Sequence, residues 1–187
     1  MPKIVDRELY RKELLQKCFD LFAQRGYGSL TMRQIAKNLG VSTGTLYHYF
    51  PSKQAIFIQL IEDITERDVG MVQDEFVGLE TIEEKITAFG EYLTKNEDYL
   101  YMQTSLFFNF FQQPELEQPE LNEAIQKSYN RYQALIMEFL GIEDKILANQ
   151  IFCTVDGLMT QRAFGFKSIS INEQMGLLAK MIASYLG

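Results

Sequence analysis

Between Ser42 and Tyr49 the chain reads Ser-Thr-Gly-Thr-Leu-Tyr-His-Tyr, with hydroxyls, phenols and one imidazole around a single large aliphatic side chain. Such groups donate and accept hydrogen bonds and offer methyl and ring surface, which suits a helix face that enters the groove of a nucleic acid. Covalent chemistry has little to work with. His48 is the only histidine, and neither Cys18 nor Cys153 has a histidine in a plausible local constellation. No Glu-x-x-His pair, P-loop or dinucleotide-type glycine loop occurs. The adjacent carboxylates Glu83 and Glu84 fall at a helix start, where they complement the positive helix end. No catalytic residue, metal ligand or cofactor is therefore expected, and an enzyme is disfavoured.

Two helices must cross closely around a tight turn to present such a face. That crossing needs a small residue on the first helix, which Ala36 supplies, and a residue tolerant of positive φ at the turn, which Gly40 supplies four positions later. Ile35, Leu39, Val41, Leu46 and Tyr49 fall at the inward positions. A plain helical hairpin inside a core is the competing reading, and it leaves the polarity of the Ser42–His48 surface unexplained.

The flanking elements follow from local signals. Leu15, Cys18, Phe19 and Phe22 have the spacing of one helical face, giving a first helix over about 6–25 that ends at Gly26. Thr31 and Gln34 make a capping box for the second helix; Ser42 caps a short third one, closed by Phe50-Pro51; Ser52 caps a long fourth. Thr81 and Glu84 form another capping box. An aromatic segment runs over 99–111, and Pro114 and Pro119 bracket a loop before a helix ending at Gly141. Helices over 143–164 and, capped by Asn172, up to Tyr185 complete an all-α chain of about nine helices.

Charge divides the 187 residues unevenly. The net charge is −7, yet residues 1–53 hold nine Lys/Arg against four Asp/Glu, and residues 54–187 hold nine against twenty-one. A cationic head on an acidic body attracts a polyanion at one end only. With 47% hydrophobic and 23% charged residues the composition is globular. The N-terminal segment has no apolar signal core and no stretch approaches a membrane span, so a soluble cytoplasmic protein is expected.

The run TMRQIAKNLGVSTGTLYHYFPSKQAIF, preceded by LFAQRGYGSL, resembles the DNA-binding head of the tetracycline-repressor (TetR) family over about residues 9–57. It departs chiefly at Gln54-Ala55, where an acidic residue is common. Beyond Phe57 the likeness is architectural. The resemblance implies a three-helix helix-turn-helix head, residues 1–52, on a six-helix ligand-binding and dimerisation body, residues 53–187. It further implies a homodimer on palindromic double-stranded operator DNA. Thr31 and Arg33 would touch phosphate at the start of the second helix. Ser42, Thr43, Thr45, Tyr47 and His48 would face the major groove or its rim. Tyr49 would reach phosphate or lie as a core aromatic beneath the recognition helix, and Lys53 would pin the backbone. That helix lacks Arg, Lys, Asn and Gln, so direct base readout should be modest and DNA shape should supply the rest.

For the body, apolar residues lie on nearly every face of 146–164, including Ile146, Ile151, Val155, Leu158 and Phe164, so the helix must be covered on more than one side. The final segment, 175–185, adds Met175, Leu178, Met181, Ile182 and Tyr185. The resemblance implies that these two segments pair with their mates in a four-helix dimer bundle; a single well-buried core helix in a monomer has the same periodicity. Phe89, Tyr92, Met102, Leu106, Phe107, Phe110, Phe111, Tyr129, Tyr132 and Phe152 are candidate walls for a small hydrophobic effector, with Asp156 as a candidate polar group. The alternative is a regulator without an effector, controlled by a protein partner or by abundance, in which these aromatics are simply core.

Overall fold

Short polar side chains open most of the helices of this chain. Asp6, Thr31, Ser42, Ser52, Thr81, Asp144 and Ser170 each accept a hydrogen bond from a backbone N–H of the following first turn. These are the N–H groups that a helix leaves without internal partners. The computed structural model describes residues 6–112 and 119–187. Among them lie nine helices: α1 (Arg7–Arg25), α2 (Met32–Leu39), α3 (Thr43–Tyr49), α4 (Lys53–Glu75), α5 (Ile82–Lys95), α6 (Glu97–Phe111), α7 (Pro119–Leu140), α8 (Lys145–Ala163) and α9 (Ile171–Leu186). The chain is all-α, as its spacing predicts. Pro114 lies outside the described residues. No helix among them is long and apolar enough to cross a membrane.

Packing divides the chain into Met1–Ile64 with Ser105–Ile125, and Thr65–Thr104 with Gln126–Gly187. This line falls elsewhere than residue 52, where the sequence suggests a functional division.

The core of the first unit gathers Leu15, Phe19, Phe22, Ile35, Leu46, Phe50, Ile56, Phe57, Leu60 and Phe110, all essentially buried. Phe110 stacks on Phe57 with ring centroids 3.4 Å apart, and Tyr27 meets both edge-on at 4.7 and 5.5 Å. The C-terminal half of α6 is thus core to the unit that holds α1–α3. Gly40 takes the left-handed conformation (φ 72, ψ 26) that the tight turn requires. Its N–H bonds Lys37 O at 3.3 Å while Val41 N bonds Ala36 O at 3.0 Å, the paired closure that ends α2 and starts the turn toward α3.

The second unit is built on α5 against α9, around Ile86, Leu93, Met175, Leu178, Ala179 and Ile182. Gly90 permits their approach, since a Cβ there would sit 2.8 Å from Met175 Cβ. The cap of the last helix is Ser170, in a capping box with Glu173, and not Asn172. Asn172 instead accepts a 3.0 Å hydrogen bond from the Thr94 hydroxyl of α5. Arg162 is buried at the end of α8 and donates to Ile169 O at 2.7 Å and Phe166 O at 3.4 Å, holding the α8–α9 turn with a cation suited to a helix C-terminus.

Candidate nucleic-acid interface

Only Leu46 of α3 is fully buried, so one side chain anchors the helix and the opposite face stands free. Ser42, Gly44, Tyr47 and His48 are exposed, Tyr47 by 51%, while Thr43, Thr45 and Tyr49 are half-buried. At the entry to α2, Thr31 and Arg33 are exposed.

Several of these hydroxyls already serve the backbone. The Ser42 Oγ accepts from Thr45 N at 2.9 Å and lies 2.8 Å from Thr45 Oγ1. Thr31 Oγ1 accepts from Gln34 N and donates to Gln34 Oε1 at 2.8 Å, closing the capping box. Both residues orient helix starts, and α2 consequently presents its positive end with no acidic residue in its first turn. Tyr47 and His48 form no such cap and project outward from α3.

Tyr49 sits between elements. Its ring meets Tyr10 of α1 edge-on at 5.6 Å and His48 at 5.2 Å, with the Arg7 guanidinium 6.0 Å from the ring centroid. As the last residue of α3 it packs as a half-buried aromatic, and it brings Arg7 and Tyr10 near the C-terminal end of that helix. Sequence reading missed these two, because nothing local ties α1 to α3.

Lys53 opens α4. Its Nζ turns toward the α1–α2 turn, donating to Tyr27 O and Leu30 O at 2.9 Å each, and it lies 4.1 Å from the Tyr27 ring centroid.

The residues proposed as effector walls are divided between the two units. Leu106, Phe107, Phe110 and Phe111 fall in the first. Leu106 and Phe110 are fully buried there and pack as core. Phe107 packs edge-on against Phe57 at 6.1 Å, and Phe111 is exposed. In the second unit Phe89 and Tyr92 stack at 6.0 Å and pack with Phe76, and Tyr92 donates to Met71 Sδ at 3.0 Å. Tyr129 donates to Asn149 Oδ1, and Phe152 meets Tyr129 at 5.3 Å and Tyr132 at 5.9 Å. Met102 is half-buried and Asp156 is exposed; partial burial nonetheless raises the Asp156 carboxyl pKa.

The polar centre of the second unit is Asp68. Tyr132 donates to Asp68 Oδ2 at 2.7 Å, and Gln103 Nε2 donates to its two oxygens at 3.3 and 3.2 Å. Gln103 Nε2 also donates to the Tyr99 hydroxyl at 2.7 Å, which accepts from Arg67 as well. Burial pushes the Asp68 pKa up, against the opposing hydrogen bonds from Tyr132 and Gln103 and the Arg67 charge. Burial and the neighbouring Asp68 raise both Tyr132 and Tyr99. A readable signal existed: Thr65, Asp68, Val69 and Val72 share one face of α4, so a carboxylate stands in an apolar register.

Among the described residues no group of three or more His, Cys, Asp or Glu is placed to hold a metal ion. Cys18 and Cys153 are free thiols, and burial pushes the Cys18 pKa up to about 12, away from nucleophilic use.

Residues 14–60 match the family described as bacterial regulatory proteins, tetR family. A transcriptional repressor of Mycobacterium tuberculosis, Rv1474c, is 32% identical over 77 residues, which cover 40% of this chain and 41% of the relative. The chain thus aligns with less than half the length of that relative. Across nearly the whole chain the fold is that of solved regulators. One from Saccharomonospora viridis, in complex with choline, has a TM-score of 0.76 and 20% identity, covering 95% of this chain and 97% of that one. FadR from Bacillus subtilis, in complex with stearoyl-CoA, has a TM-score of 0.67 and 19% identity, covering 92% and 97%.

Proposed function

We propose, from a chain that carries the head of the tetR family of bacterial regulatory proteins, that it is a cytoplasmic repressor binding a palindromic operator as a homodimer. The exposed Tyr47–His48 face of α3, held by Leu46 and the Gly40 turn, carries this reading. Residues 1–52 contact DNA: Thr31 and Arg33 at phosphate, and Ser42, Thr43, Thr45, Tyr47 and His48 at the groove or its rim, with Tyr49 supporting them. Ile146, Phe164, Leu177, Met181 and Tyr185 are large apolar side chains that one chain alone leaves exposed on and beside α8 and α9. That exposure supports a dimer formed through 146–164 and 175–185. Two recognition helices in such a dimer would read half-sites about 34–36 Å apart.

Residues 53–187 would also take a small effector that releases the DNA. The choline and stearoyl-CoA of the two structural neighbours differ greatly in size and charge, so the shared fold names no ligand class. In the second unit Tyr129, Tyr132 and Phe152, with Asp68 beside Tyr132, are the groups suited to meet one. The full burial of Leu106 and Phe110 favours a second reading, in which the aromatics are core and control lies with a protein partner or abundance.

Selection of bound duplexes from a random DNA pool tests the main reading. An inverted repeat with half-sites about one helical turn apart, or a little more, is expected. Absence of any enriched duplex from folded, dimeric protein would refute operator binding by the free protein. Loss of the complex on adding lipophilic compounds separates the effector reading from its alternative.

A further inference from the structure

The phosphate role suggested for Lys53 conflicts with the direction of its side chain. Lys53 is the first residue of α4, where a cation meets the positive end of the helix and is disfavoured. The half-buried ammonium is offset there by two backbone carbonyls, Tyr27 O and Leu30 O, at 2.9 Å, and by the face of the Tyr27 ring at 4.1 Å. Tyr27 and Leu30 are themselves buried in the turn joining α1 to α2. This is a built seat for an ammonium.

The peptide that Lys53 holds is the one that starts α2. Leu30 O belongs to the Leu30–Thr31 peptide, and the N–H of the same peptide donates to Gln34 Oε1 at 2.9 Å in the capping box. A cation on the carbonyl polarises that peptide and strengthens the N–H bond on its other side. Lys53 therefore orients the first turn of α2 and, through the fixed Gly40 turn, the setting of α3.

Resting on the operator-binding reading above, we infer that Lys53 is a positioning residue: it clamps the α1–α2 turn so that Thr31, Arg33 and α3 meet DNA in register, and it is not itself a phosphate contact. The two roles separate by salt and by chemistry. A lost phosphate contact flattens the slope of log K against log salt by about 0.9. Arginine at a phosphate contact keeps or improves it, because its fork binds phosphate in bidentate fashion. At the clamp that planar fork does not fit a seat made for a compact ammonium.

The test uses the full chain and the operator recovered from the random pool. Lys53→Met is expected to lower operator affinity about tenfold with the salt slope unchanged, the loss of a charged hydrogen-bond donor. Lys53→Arg is expected to lose affinity as well. Amide hydrogen exchange over residues 28–34 should be faster in DNA-free Lys53→Met than in the native protein. A slope shallower by about 0.9, whatever the affinity, overturns the clamp. So does native affinity in Lys53→Arg, or unchanged exchange at 28–34. If Lys53→Met does not fold, Lys53→Arg is read by its affinity and by exchange at 28–34, since arginine keeps the charge and with it the salt slope. Should the native protein select no duplex, operator binding fails by itself, and the exchange measurement still decides the clamp.

Discussion

The face of α3 and the interior around Asp68 are made of similar side chains turned in opposite directions. On α3 the phenol of Tyr47 and the ring of His48 look outward, while the hydroxyls of Ser42 and Thr31 cap helices. Around Asp68 the phenols of Tyr132 and Tyr99 look inward and meet a carboxylate and an amide. Polarity at the surface is available to a partner at little cost to stability. Polarity inside is held in a network whose members depend on one another. A third set, the α6 aromatics, shows that ring content alone does not tell these uses apart.

Phe110→Ala should give the largest effect, a loss of about 3–5 kcal/mol in unfolding free energy by denaturant titration, because its stacked ring is fully buried. Near-native stability with weakened ligand binding would return Phe110 to an effector wall. Tyr132→Phe should cost about 1–3 kcal/mol, since it leaves a buried carboxylate oxygen short of a donor. Here pH sharpens the comparison. Folding raises the Asp68 pKa, so this group favours the fold below the ordinary carboxylate range and disfavours it as pH rises through the native value. The Tyr132 bond favours the ionised form, so the cost of Tyr132→Phe should grow as pH rises through that value. A cost that shrinks with pH would contradict an ionising Asp68 at the centre of the cluster. Tyr47→Ala should change stability least, within about 0.5 kcal/mol, while lowering operator affinity about tenfold, or ~1.4 kcal/mol. An unchanged affinity would remove Tyr47 from the interface.

What was legible in the sequence was local. Thr31 with Gln34, Thr81 with Glu84, and Gly40 four residues after Ala36 each act within one turn of chain, and each stands where its spacing places it. The cap of α9 was misread because Asn172 is as good a capping residue by type as Ser170; the carboxylate of Glu173, three residues after Ser170, decides between them. The burial of Phe110 rests on Tyr27 and Phe57, far away in the chain, so its helical spacing alone was compatible with core or pocket. Lys53 was hidden for a different reason. Its acceptors are backbone carbonyls, which every residue carries and no residue type announces.

The single anchor of α3 has an evolutionary consequence. With Leu46 alone fully buried and the turn angle set by Gly40, the positions around Tyr47 and His48 are almost uncoupled from folding. Exchanges at such surface positions alter stability by no more than about 0.5 kcal/mol. Descendants of this chain can therefore vary this face through viable intermediates, and a designer can randomise the same positions without first rebuilding the frame beneath them.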